Sequence, residues 1–269
     1  MGEVLVKEKN VQQLIGEFAA LDKSDKKVVL DKQQEILHTL IKQEYIYTLL
    51  DKNTTVEQFK NNTGNVLTSG NSMGRPCFRI YSEKSIAEGC ARKYELTIDT
   101  PEESNVPLIF KVTTKGMIKT AYSAMFKGLF DIVIDDGANW INVNVKDFVN
   151  SLYSYVGEED IVSNTDFTFI NIVNMLKFTD NKIFLVINKD SRDKSKIIQL
   201  FLQRKDAEKY AEEVLNNVNA VEVLDINKFN DLIVDTLNET PELEFSIVFA
   251  SIIRKMKIAK ANFFLNKML

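Results

Sequence analysis

The sequence predicts an α/β (α+β) protein made of two tandem, degenerate α/β units, each a small mixed sheet flanked by helices, with one further helix at the N-terminus. Three observations predict it. Apolar residues alternate between strand-like and helix-like spacing along the chain. The same succession of elements occurs twice, as an internal repeat. The length, 269 residues, suits two domains of about 100–200 residues.

Residues 1–22 read as an amphipathic helix with Val11, Leu14, Ile15 and Phe18 on one stripe. Each unit then reads helix-strand-strand-helix-strand-helix-strand-strand-helix, over residues 28–156 and 161–269. A helix through Leu37 and Leu40 leads into a strand at 46–50. It matches a helix through Val173 and Leu176 leading into a strand at 183–187, at an offset near 136. Next, Tyr81-Ser82-Glu83, ending a strand and opening a helix with Ala87 and Ala91, matches Phe201-Leu202-Gln203 with Ala207 and Ala211 at an offset of 120. Last, Phe130-Asp131-Ile132-Val133-Ile134 matches Phe245-Ser246-Ile247-Val248-Phe249 at an offset of 115. The same offset pairs Ile141 with Met256, Val143 with Ile258 and Phe148 with Phe263. Both read as strand, tight turn, strand, helix, and the Asp136-Gly137 pair suits the positive φ of a hairpin turn. The falling offsets give the first unit 16 extra residues between its first two strands and 5 more before its hairpin. The acidic stretch Val156-Gly157-Glu158-Glu159-Asp160 is the expected boundary, giving domains 1–156 and 157–269.

Composition excludes several classes. Apolar residues are 45% and charged residues 27%, as in ordinary globular proteins. Ten glycines and four prolines are less than half the usual share, which rules out a collagenous or linker-rich chain. Net charge is −4, and neither half is basic, so no nucleic-acid partner is expected. No apolar run reaches the roughly 18–20 residues of a membrane span. The N-terminus lacks a signal-peptide pattern, and Val6 stands where myristoylation wants Ser or Thr. Two cysteines are no disulfide framework. A cytoplasmic protein is expected.

The strand end Tyr81-Ser82-Glu83 with its Ala-containing helix, its counterpart at Phe201, and the hairpin 130–143 followed by a helix resemble the SseB N-terminal-type domain family of bacteria. The resemblance implies a bacterial, cytoplasmic, tandem α/β protein with a secretion association. The family brings no agreed catalytic residues.

Chemistry is sparse. The single histidine, His38, aligns with Asn174 and reads as a surface residue, which leaves no Ser-His-Asp or Cys-His pair. Cys77 and Cys90 align with Ile197 and Tyr210 and read as buried core thiols. The Gly64, Gly70 and Gly74 loop lacks the spacing of a phosphate cradle and reads as flexible. Asp131, Asp135 and Asp136 form the best carboxylate group. Asp131 and Asp135, four apart on a strand, would share a face and could hold Mg²⁺ or Ca²⁺. Their counterparts are Ser246, Ala250 and Ser251, so acids there are not required by the fold, and solvated turn residues are the simpler reading. The last 25 residues carry Arg254, Lys255, Lys257, Lys260 and Lys267 and no acid, which reads as a folded element with a basic face. Trp140, the only tryptophan, aligns with Lys255 and reads as exposed or half-buried.

Features present in one copy only are free to serve function. They define an expected partner-binding surface of Trp140, Asp135, Asp136, Asn71, Met73 and Arg75, on loops of a rigid scaffold. The expected function is a non-catalytic protein-binding module with no cofactor. Its partner would be another protein, such as an effector or toxin that it chaperones or neutralises. The alternatives are a divalent-metal enzyme using Asp131, Asp135 and Asp136, and an oligomerisation role.

Overall fold

A computed structural model describes residues 9–70, 74–137, 139–155, 162–178, 182–189, 196–216, 221–249 and 252–269. The chain divides into two compact units, residues 1–161 and 162–269. The expected boundary at 156–160 lies outside the described residues.

Unit 1 opens with helix α1 (Val11–Ala19). Asn10 caps it, accepting from the Gln13 amide while the Gln13 side chain accepts from the Asn10 amide. This cap starts the helix well inside the expected 1–22. Val11, Leu14 and Ile15 are buried and Phe18 is half-buried. Helix α2 (Lys26–Ile41), capped by Asp25, packs on α1 and leads into β1 (Tyr45–Leu49). Next is α3 (Val56–Lys60), with a Thr55–Gln58 capping box, and the glycine-containing segment after it, read as a flexible loop, holds β2 (Thr68–Gly70). Then come β3 (Pro76–Tyr81), α4 (Lys84–Lys93), a side hairpin of β4 (Thr97–Ile98) and β5 (Val106–Pro107), β6 (Ile109–Thr113) and α5 (Thr114–Met125). The unit closes with β7 (Asp131–Ile134), β8 (Ile141–Asn144) and α6 (Val145–Tyr155). Its sheet has the order β6-β1-β3-β7-β8, with β2 beside β3.

Unit 2 contains α7 (Asn164–Phe178), β9 (Ile183–Lys189), β10 (Lys196–Phe201), α8 (Arg204–Leu215), β11 (Val221–Leu224), α9 (Ile226–Glu239), β12 (Glu244–Phe249), β13 (Ile252–Lys257) and α10 (Ile258–Met268). Its sheet order is β11-β9-β10-β12-β13. The order and directions match unit 1 strand for strand. In each sheet one pair is parallel, β3 with β7 and β10 with β12, and the other main ladders are antiparallel. One helix, α4 or α8, packs on the first three strands of that order.

Sheet register corrects the sequence offsets. Arg79 pairs with Val133, and Gln199 with Ser246, which upholds 120 for the second strand and sets 113 for the hairpin. The Val145 amide donates to the Phe130 carbonyl as the Ile258 amide does to Leu243, again at 113. The first strand sits at 137, because Tyr47 pairs with Tyr81 as Phe184 pairs with Phe201. The third sits at 112, because Leu49 pairs with Ile109 as Val186 pairs with Val221. The fall from 137 to 120 leaves 17 extra residues before β3, which hold α3 and β2. The fall from 120 to 112 leaves 8 before β6, at the β4–β5 hairpin. An error of two residues is invisible in a strand, where side chains repeat every second residue. In a helix it is not. Phe148 is buried on α6, whereas Phe263 is half-exposed on α10.

Candidate functional site

The residues read as one surface separate in the structure. Asp131 opens β7 at the N-terminal end of the parallel pair, and Asp135 and Asp136 follow its other end. A strand of this length sets them about 13 Å apart. Asp131 is buried and pairs with Arg75 at 2.7 Å. A polar pocket of about 220 Å³ lies there, lined also by Asn142, Asn144 and Asp147.

Asp135 is fully buried, not a solvated turn residue. Its φ of 60° takes it out of the strand, so it no longer shares a strand face with Asp131. Its carboxylate accepts from the Ser82 amide and hydroxyl, both at 2.7 Å, and from the Gln12 side chain at 2.5 Å. Its own amide donates to the Ile80 carbonyl. One side chain therefore ties α1, the β3–α4 turn and the β7–β8 turn together. Burial pushes its pKa up, and the Ser82 and Gln12 hydrogen bonds oppose that rise. A residue enclosed in this way is a structural knot and offers nothing to a partner. Sequence reading missed Ser82 and Gln12. The signal for Ser82 was a polar residue at the end of an apolar strand, where the second copy has Leu202.

Asp136 meets Arg79 Nε at 2.5 Å and the Tyr94 hydroxyl at 3.2 Å. Arg79 also donates to the Ser69 hydroxyl, so β2 of the insertion helps to hold the pair. Each of the three carboxylates thus has its own partners. Among the described residues no three His, Cys, Asp or Glu side chains converge as metal ligands.

Trp140 is 48% exposed. The corrected offset makes its counterpart Ile253, not Lys255, and Ile253 is 63% exposed. Likewise the counterparts of Asp131, Asp135 and Asp136 are Glu244, Val248 and Phe249. Arg75 is half-exposed beside Asp131, and Asn71 and Met73 lie outside the described residues.

A cleft of about 300 Å³ opens between α4 and the turn, with Gly137 on one wall and Ser85, Ile86, Gly89, Cys90 and Lys93 on the other. Gly137 has a φ of 93°, and a Cβ there would stand 3.4 Å from the Cys90 sulfur. Unit 2 has the equivalent cleft, about 440 Å³, where Lys205, Asp206, Lys209, Tyr210 and Glu213 face Val248. Those five are the α4 positions shifted by 120.

No protein-family model matches the chain, and no curated protein matches it by sequence. Two Tic22 structures align with it. Anabaena Tic22 (protein transport) has 14% identity and a TM-score of 0.22, over 77% of this chain and 87% of that one. Tic22 from Plasmodium falciparum has 14% identity and a TM-score of 0.19, over 86% of this chain and 96% of that one. Similarities at this level carry no argument about this chain.

The remaining sequence candidates are structural. Cys77 and Cys90 are buried, and burial raises both thiol pKa values, the opposite of an activated nucleophile. His38 is exposed, but Asn174 is buried, so the two are not counterparts. Lys260 of the basic C-terminal segment pairs with buried Asp166 at 2.8 Å, and Lys177 donates to the Met268 carbonyl. Among the described residues no helix is long and apolar enough to cross a membrane.

Proposed function

We propose that this chain is a protein-binding module that engages a polypeptide partner at the β7–β8 turn of unit 1, with Trp140 as its anchor. One observation carries the reading. Both hairpins hold a large apolar side chain in water at the same structural position, Trp140 in one unit and Ile253 in the other. An exposed Trp suits an interface, where Trp is enriched among the residues that dominate binding. The carboxylates do not compete for this role, because Asp131, Asp135 and Asp136 are each engaged within the fold. Within this class, a cytoplasmic bacterial adaptor, chaperone or immunity protein for a secreted effector or toxin is the form that the SseB-type resemblance favours.

A photo-crosslinking amino acid placed at position 140 in the native host tests the reading. The expected result is an adduct with a defined polypeptide that is lost when the crosslinker sits at exposed Val214 instead. Identical products from both positions, or none from 140, would overturn it.

A further inference from the structure

We propose that unit 1 carries a second binding site, a cleft between the start of β1 and the start of α4 that takes a lysine or arginine side chain of a polypeptide. It goes beyond the Trp140 surface. The cleft has a volume of about 730 Å³. Tyr45 and Tyr47 line it, two apart on β1, so both rings stand on one face of the sheet. Tyr47 packs among the residues that α4 covers. Glu44, Glu83 and Glu88 also line it. Lys84 answers Glu88 at 3.2 Å. Glu83 is the N-cap residue of α4, yet its side chain makes no capping bond. Glu44 lies beside the Tyr45 hydroxyl and raises its pKa, as a carboxylate accepting from a phenol does.

The chain itself shows what this lining accepts. The Lys111 ammonium lies 3.7 Å from the centroid of the Tyr45 ring. A tyrosine face in a cleft that three carboxylates line attracts cations through the ring quadrupole and through charge. Unit 2 shows that the fold does not need this lining. Lys182 and Phe184 replace Tyr45 and Tyr47, Gln203 replaces Glu83 and Lys205 replaces Ser85. The helix-surface pair persists, as Arg204 with Glu208 at 2.7 Å. Lys182, Gln203 and Lys205 thus make the described part of the equivalent position more basic in unit 2.

Fluorescence anisotropy with a labelled octapeptide of alternating lysine and glycine, at low salt, tests the site on the full chain. A glutamate–glycine peptide is the control. The lysine peptide is expected to bind and the glutamate peptide not to bind. Glu44→Gln with Glu83→Gln should weaken binding about tenfold. Tyr45→Leu should weaken it about three- to fivefold, whereas Tyr45→Phe, which keeps the ring face, should change it less than about twofold. Lys111→Met, which removes the internal competitor, should tighten it about threefold. Trp140→Ala should leave it unchanged, which separates this site from the Trp140 surface. Circular dichroism establishes that each variant is folded. No binding of the lysine peptide, undiminished binding by Tyr45→Leu, or an equal loss from Glu212→Gln with Glu213→Gln in unit 2 would overturn the proposal.

Discussion

The two hairpins, β7–β8 and β12–β13, have the same number of residues between equivalent ends and close in different ways. In unit 2 the ladder runs out to Phe249 opposite Ile252. In unit 1 it stops at Ile134 opposite Ile141, and six residues make the turn. Unit 1 gives up the outermost ladder pairs and holds its turn with side chains: Asp135 on Ser82 and Gln12, and Asp136 on Arg79. A backbone ladder is nearly indifferent to sequence, whereas a side-chain knot depends on a few residues. The unit 1 turn is therefore anchored by Asp135 and Asp136, and beyond it Trp140 stands in water. Irregular backbone on a firm scaffold is where recognition commonly resides.

The sharpest test of the comparison is its register. With an offset of 113, Phe148 is core and Phe263 is surface. Phe148→Ala should cost about 3–5 kcal/mol, and Phe263→Ala about 1 kcal/mol or less, by urea denaturation. Equal costs would restore an offset of 115. Next in size is the knot. Asp135→Ala leaves the Ser82 amide and hydroxyl buried without an acceptor and should cost about 2–3 kcal/mol. The equivalent Val248→Ala, in a half-buried strand, should cost about 1 kcal/mol. Asp136→Asn removes the charge opposite Arg79 in a pair that is only partly exposed and should cost about 1 kcal/mol.

A smaller effect is its pH dependence. The folded state raises the Asp135 pKa, because burial disfavours the carboxylate. The unfolded chain then binds fewer protons at this residue than the native one. Its favourable contribution is fully present below the ordinary carboxylate range and is lost as pH rises through its raised value. Stability of the wild type relative to Asp135→Asn, which tolerates the positive φ, should therefore fall as pH rises through that window. A difference that rises with pH would show that the hydrogen bonds, not burial, dominate. The smallest effect is at the exposed positions. Trp140→Ala and Ile253→Ser should each change stability by no more than about 0.5 kcal/mol. A larger loss at Trp140 would mean that the ring is packed and is no anchor.

The sequence by itself determined the two-unit α/β architecture, the order of the elements that both units share, the offset of 120 at the second strand and the buried thiols. These follow from apolar periodicity, which reports the face of an element directly. The tertiary structure decided the rest. The hairpin offset of 113 emerged only from ladder pairing, since strand periodicity cannot detect a slip of two residues. The inserted segment before β3 showed turn residues, but its order comes from pairing with β3 and from the Arg79–Ser69 contact. Asp135 and Asp136 looked alike as a polar pair before a glycine, yet one is wholly buried and the other is half-shielded by Arg79. Their difference lies in Ser82 and Gln12, 53 and 123 residues away along the chain. A buried polar group is defined by the donors that reach it, and donors so distant meet it only after the chain has folded.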